Sequence, residues 1–353
     1  MAVSQFILYT SNDSGAPVLN GITGSLMAVL NGCLVTGYGN KPGAGWTKPI
    51  ADVTGSALGT PVVGGFRQGA GSRYSLFVND DGYHSTALGR EASVTAWENL
   101  TNPSGTLVVY GPQSYTASLG GGTGNFPAAS RVIWRKSVNA DTTARGWIVA
   151  ADSRSFYIWA SSGDAAGRYY FGSFGEAYSE ASIPDYYCCI LTGRIVDNTA
   201  AGHTSPYADW QDGIADPRYF NIAQPGHHLA RSLGGGTTSM TFFKKGDSSA
   251  PSDGATQSPY MLILAGQIQT PNGPNNSFYV SPIWIVEPAA NTIRGRFRGL
   301  YQICHPNANF SDGQIFVGSG EFAGKRFRVV KQSTTAGLWA LEISPSIEIN
   351  TWM

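Results

Sequence analysis

Nearly all of this chain is written in short β-forming runs, and only one stretch keeps a helical period. Segments rich in Val, Ile, Tyr, Phe, Trp and Thr recur at 74–78, 92–97, 106–110, 131–136, 147–151, 155–160, 169–171 and 186–191. They resume at 240–243, 261–264, 278–286, 296–301, 314–317, 326–330 and 338–343, with Gly, Asn, Asp, Ser and Pro clusters between them. The exception is 24–34, where Leu26, Val29, Leu30 and Cys33 fall at i, i+3, i+4 and i+7 on one helical stripe. Thr23 or Ser25 is placed to cap its start, and Gly37 lies just past its end. A chain built this way has to pair strands and stack the resulting sheets. The expected fold class is therefore all-β, an antiparallel sandwich or barrel-like architecture with one short N-terminal helix and long Gly/Ser/Thr-rich loops.

The clearest local unit is a hairpin from Trp147 to Trp159. Trp147-Ile148-Val149-Ala150-Ala151 faces Phe156-Tyr157-Ile158-Trp159 across Asp152-Ser153-Arg154-Ser155, and Asp152 can accept from the backbone two residues on. Both arms are apolar at almost every position, which predicts burial on both faces. The Gly/Ser/Thr-rich stretches 115–130 and 232–258 read as linkers or projecting loops. The main division is placed at the second: an N-terminal β domain at 1–231, the loop 232–258, and a C-terminal β domain at 259–353 that can pack with the first as one unit. No internal repeat of fixed period occurs.

Charged residues are only 13% of the chain, about half the usual quarter. Glycine is 45 of 353, nearly double its usual share. An apolar content of 42% is ample for a core, so the surface has to be built from Ser, Thr, Asn, Gln and Gly. Such a surface suits a protein covered by its neighbours. A net charge of zero argues against nucleic acid as a partner, because neutralising phosphates needs a basic face. Cys33, Cys188, Cys189 and Cys304 form no CxxC pair, so zinc is not expected and buried free thiols are. Met1–Phe6 lacks a basic n-region and an apolar h-region, and no apolar run approaches a membrane span.

Several groups could carry chemistry, and each has a plainer reading. His227-His228, with His203 or Asp212, has no metal-ligand spacing, and neighbours on a strand point to opposite faces. His305 follows Cys304, and a lone neighbour pair of this kind is not a nucleophile and base without geometry. Asp80 with Asp81, Glu176 with Glu180, Asp185, and Asp212 with Asp216 offer paired carboxylates of the kind glycosidases use, but they read first as turn residues and strand ends. Asp141, Arg145, Asp152 and Arg154 put opposite charges at the two ends of the hairpin, where structural pairing is the commoner use. There is no G-x-S-x-G, P-loop or HExxH. No catalytic residue, cofactor or metal is expected. Aromatics in polar loops, Trp46, Tyr207 and Trp210, are the candidate exposed binding residues.

A series of blocks resembles the structural proteins of tailed-bacteriophage particles. The first is Leu26 to Ile50, with Gly37-Tyr38-Gly39 and Lys41-Pro42-Gly43-Ala44-Gly45-Trp46. Gly65–Tyr74, Trp134–Ser137, Asp141–Tyr157 and Phe171–Glu176 follow, then Tyr279–Trp284, Ile293–Tyr301 and Phe322–Phe327. The likeness spans nearly the whole chain; Glu180–Asp185 is less acidic than the family pattern at that place. It implies a non-enzymatic virion protein, synthesised in the bacterial host cytoplasm. Tail tip, baseplate, fibre base and head decoration fit in that order. Its partners would be other copies of itself and other tail proteins, with no nucleic acid and no membrane span. A host-surface glycan-binding module is the alternative, and a glycan depolymerase using Glu176 or Asp185 stands third.

Overall fold

A computed structural model of the chain describes residues 6–54, 61–80, 90–100, 122–125, 131–161, 163, 170–182, 184–195, 227–235, 242–244, 280–287, 292–303, 309–331 and 338–343. In order come β1 (Ile7–Thr10), the helix α1 (Ser25–Leu30), β2 (Val53–Thr54), β3 (Pro61–Arg67), β4 (Ser75–Asn79), β5 (Glu91–Leu100), β6 (Gly122–Asn125) and β7 (Arg131–Arg135). Next are β8 (Trp147–Ala151), β9 (Ser155–Ala160), β10 (Tyr170–Glu176), β11 (Tyr178–Ser179), β12 (Cys189–Thr192), β13 (Arg194–Ile195) and β14 (His227–Leu229). The last are β15 (Phe242–Lys244), β16 (Val280–Glu287), β17 (Thr292–Ile303), β18 (Ile315–Val317), β19 (Arg326–Lys331) and β20 (Leu338–Ile343). Every described strand pairing is antiparallel, as the all-β expectation required.

The described strands form three sheets. The middle one runs β1-β8-β9-β10-β12-β14. One outer sheet runs β13-β7-β5-β4-β3-β2 with β6 beside β5, and the other runs β15-β16-β17-β20-β19-β18 with β11 beside β17. Alternation along β9 fixes the layering. Phe156 meets Trp134 of the first outer sheet, ring centroids 5.8 Å apart, while Tyr157 meets Phe297 of the second at 5.9 Å. On β10, Phe171 stacks on Trp339 of the second sheet at 5.9 Å. Gly172 lets Trp134 lie against the strand, since a Cβ there would sit 2.7 Å from its indole. The predicted hairpin is therefore the centre of the middle layer. Its register runs from Trp147↔Ala160 to Ala151↔Phe156, and all eleven residues of β8 and β9 are buried. Each large side chain enclosed there stabilises the fold by about 1.5–3 kcal/mol.

The helix forms where expected but is differently made. Leu26, Val29, Leu30 and Cys33 are all buried, as their stripe predicts. Regular α geometry stops at Leu30, and a π-helical turn, Asn31–Thr36, carries the chain to Gly37 at φ 74°. The cap is a correction. Gly24 occupies the cap position with no side-chain bond, and Ser25 Oγ donates instead to the Asn20 carbonyl. The N–H groups of Leu26 and Met27 go to Asp80, more than fifty residues away. Residues 122–125, inside a stretch read as loop, form β6. The expected strands at 106–110 and 261–264 lie outside the described residues, as does most of 232–258. Across that stretch β11 pairs with β17, joining Tyr178 to Arg296. No helix among the described residues is long and apolar enough to cross a membrane.

Candidate functional site at the turn of the central hairpin

The turn Asp152-Ser153-Arg154-Ser155 is where distant segments of the chain meet. Asp152 behaves as its position predicts: Oδ1 accepts from the N–H of Arg154 and of Ser155, both at 2.8 Å. The Asp152 carbonyl accepts from Trp46 Nε1 at 2.6 Å. The Ser153 carbonyl accepts from the N–H of Gly69 at 2.9 Å and of Ala70 at 3.2 Å, and the Arg154 carbonyl accepts from Gln68 Nε2. Ser155 Oγ donates to the Glu176 carbonyl at 2.9 Å. From β17, Arg298 reaches both carboxylate oxygens of Asp152 at 2.7 and 3.2 Å, and Ser155 Oγ at 2.8 Å. Burial alone would lower the Arg298 pKa; the Asp152 carboxylate beside it outweighs that and raises it.

Trp46 is therefore not the exposed aromatic expected of a glycine-rich loop. It is 3% exposed, packed edge-on to Phe156 at 5.5 Å and Phe174 at 5.9 Å, with its indole N–H satisfied. The loop is polar in composition because it lies over the hairpin turn, and the turn supplies backbone partners. Tyr207 and Trp210 lie outside the described residues. Among the described residues the exposed aromatic is Tyr186, 69% exposed, at the start of the expected strand 186–191 but ahead of β12. Its carbonyl is held by Ser72 Oγ at 2.9 Å and Tyr74 Oη at 3.1 Å.

β17 carries three arginines at alternate positions, and each meets an acid from another segment. Arg294 binds Asp185 through two nitrogens at 2.5 and 2.7 Å, Arg296 pairs with Glu180 at 3.1 Å, and Arg298 pairs with Asp152. Pairing of Ile285 with Gly295 but Val286 with Ile293 leaves Arg294 as the extra residue of a bulge. A bulge re-aims a side chain, here into the turn holding Asp185. Asp185 also accepts from Ser179 Oγ at 2.7 Å and the Tyr187 N–H at 3.1 Å. Burial would raise its pKa, but these hydrogen bonds and the Arg294 charge hold the carboxyl below the usual range.

The other candidate groups are similarly engaged. Glu176 accepts from the Ser72 N–H and pairs with Arg154 at 3.5 Å, so Arg154 does not pair with Asp152. Asp141 takes Arg145 at 3.3 Å. Asp80 contacts Lys136 Nζ, and neither side chain is more than 1% exposed. Cys33, Cys188 and Cys189 are free and buried, and burial pushes all three thiols up, away from thiolate chemistry. No group of three His, Cys, Asp or Glu able to hold a metal occurs among the described residues. His227 and His228 form β14 against Thr192 and Leu191. Asp81, His203, Asp212, Asp216, Cys304 and His305 lie outside the described residues. Sequence reasoning missed the arginine–acid ladder, although the alternation Arg294-Gly295-Arg296-Phe297-Arg298 was its visible half. Comparison with protein-family models and with curated protein sequences gives no match.

Proposed function

We propose that the chain is a non-enzymatic structural component of a tailed-phage virion, in the tail tip, baseplate or fibre region, assembling in several copies. One observation carries the reading. The blocks that bear the resemblance — around Trp46, Gln68–Ala70, Asp152–Ser155, Glu176 and Arg298 — converge on a single turn, where their polar groups satisfy one another. Residues used this way specify a scaffold. Of the carboxylates a depolymerase would need, Asp185 is held by Arg294 through two nitrogens while Glu176 meets only a half-exposed Arg154, so the weight against the third reading comes from Asp185. Low charge and high glycine further support a subunit whose interfaces use neutral polar and aromatic surface. Light scattering of the purified chain at two salt concentrations tests this. A trimer or hexamer insensitive to salt is expected. A monodisperse monomer, with the chain absent from purified particles by mass spectrometry, would overturn it.

Tyr186 favours the second reading, binding of a host-surface glycan. An aromatic ring displayed on a turn whose carbonyl is held by two hydroxyls of the 72–74 segment is a stacking platform for a sugar. Glycan-array binding that disappears in Tyr186→Ala would move this reading to first place, and a uniformly negative array would remove it.

A further inference from the structure

We propose that Lys136 and Asp80 become joined by an intramolecular isopeptide bond, the lysine Nζ acylated by the aspartate side chain. The inference stands apart from the virion reading and rests on one buried constellation. Asp80 follows β4 and Lys136 follows β7, the two strands that flank the start of β5. Their side chains are sealed from solvent, at 0% and 1% exposure, and Nζ is in contact with Oδ1. The space beside Lys136 is lined mainly by apolar side chains, Leu26, Trp134, Ile158 and Phe171, with Arg135, which pairs with Glu91.

Each atom of the pair is placed for amide formation. Oδ2 accepts from the N–H of Leu26 at 2.8 Å and of Met27 at 3.3 Å. Oδ1 takes no hydrogen bond from any other group among the described residues. Nζ donates to the Ile22 carbonyl at 2.8 Å and to Ser25 Oγ at 3.0 Å, which fixes the end of a flexible side chain. An ammonium and a carboxylate enclosed among apolar groups are costly as ions, so transfer of one proton from Nζ to Oδ1 gives a neutral amine beside a neutral acid. Burial raises the Asp80 carboxyl in the direction that this transfer needs, against the opposing pull of Lys136.

The amine lone pair then attacks Cγ. The N–C bond forms, and negative charge gathers on Oδ2, where the two backbone N–H groups point. A second proton passes from nitrogen directly to Oδ1, with which it is in contact. The Cγ–Oδ1 bond breaks and Oδ1 departs as water. The sum is one ammonium and one carboxylate giving one amide and one water, with no oxidant or co-reactant. Holding the two groups in contact supplies the effective concentration that free side chains lack.

The intact mass of the folded, purified chain, measured after denaturation, tests the proposal. The expected mass is lower than that of the sequence by one water. Trypsin should then release residues 74–90 joined to residues 136–145, with no cleavage after Lys136, and Lys136→Met should restore the full mass. The wild-type measurement decides the matter even if that variant folds poorly. A full-mass wild-type chain overturns the proposal. So does a water loss that leaves the two peptides separate, as a succinimide at Asp81-Gly82 would.

Discussion

Two aspartates whose carboxylates lack exposed area, Asp80 and Asp185, each face a cation, and their surroundings push them in opposite directions. Asp80 meets a single lysine and two backbone N–H groups, and burial prevails: its carboxyl is raised. Asp185 meets a two-pronged guanidinium, a serine hydroxyl and a backbone N–H, and the hydrogen bonds prevail: its carboxyl is lowered. Asp80 lies deeper, within the core rather than in a half-buried turn, but exposed side-chain area does not separate them. The number and geometry of donors do, and Asp185 also sits one residue from the exposed Tyr186 rather than beneath a helix. A planar fork that matches a carboxylate stabilises the ion; a lone ammonium in an apolar enclosure leaves it reactive.

The sharpest way to break the contrast is to remove the lysine. Lys136→Met leaves Asp80 enclosed without a counter-charge, and a loss of about 3–5 kcal/mol is expected in denaturant unfolding. Next in size is Arg294→Lys, which keeps the charge at Asp185 but loses the second prong. A loss of about 1.5–3 kcal/mol is expected by the same measurement. No measurable loss would show that the fork's geometry matters no more at Asp185 than a lone ammonium does at Asp80.

Acid separates the two sites by sign. The folded-state pKa of Asp185 is depressed, so its contribution is present above the unfolded value of about 3.9 and is lost as pH falls through the lower folded value. Asp80 is raised, so as a free acid its contribution is full below that unfolded value and is lost as pH rises through the higher folded one. Denaturant midpoints measured down the acid limb should fall in the wild type and fall less in Asp185→Asn. With the amide formed, Asp80 drops out of the titration, and the Asp185 limb is the one that remains. The smallest effect belongs to Arg154→Ala. That side chain is half exposed and its pair with Glu176 spans 3.5 Å, so a change of roughly 0.5 kcal/mol or less is expected.

What could be read in the sequence was whatever local pattern decides. The hairpin of β8 and β9 has apolar residues at nearly every position and an Asp where its turn begins, so its strands and both-face burial were legible. β3 was not, because Pro61, Gly64 and Gly65 carry no strand preference. Gly64 is small because Met27 and Asp52 crowd it, and Gly65 because Leu100 and Ile50 do, facts set by partners from other segments. Trp46 was misread for the same reason: its neighbours in sequence are glycines and lysines, while its neighbours in space are Phe156 and Phe174. The helix was visible, but its capping acid lies at Asp80. At the candidate site the arginines of β17 were visible as an alternation, whereas Asp152, Glu180 and Asp185 could be assigned to them only by the fold.

The middle layer also sets a clock on synthesis. Tyr157 Oη donates to the Arg298 carbonyl at 2.7 Å, across a separation of 141 residues. A ribosome adding about 5–20 residues per second reaches Arg298 roughly 7–28 seconds after Tyr157. During that interval the hairpin has one covering sheet available and the other still unmade. Its Tyr157 and Trp159 rings, with Phe171 of β10, must wait, open to water and to other nascent chains, until Phe297 and Trp339 arrive. A protein of this design gains its burial late, and slow translation or truncation before β17 exposes its most apolar surface.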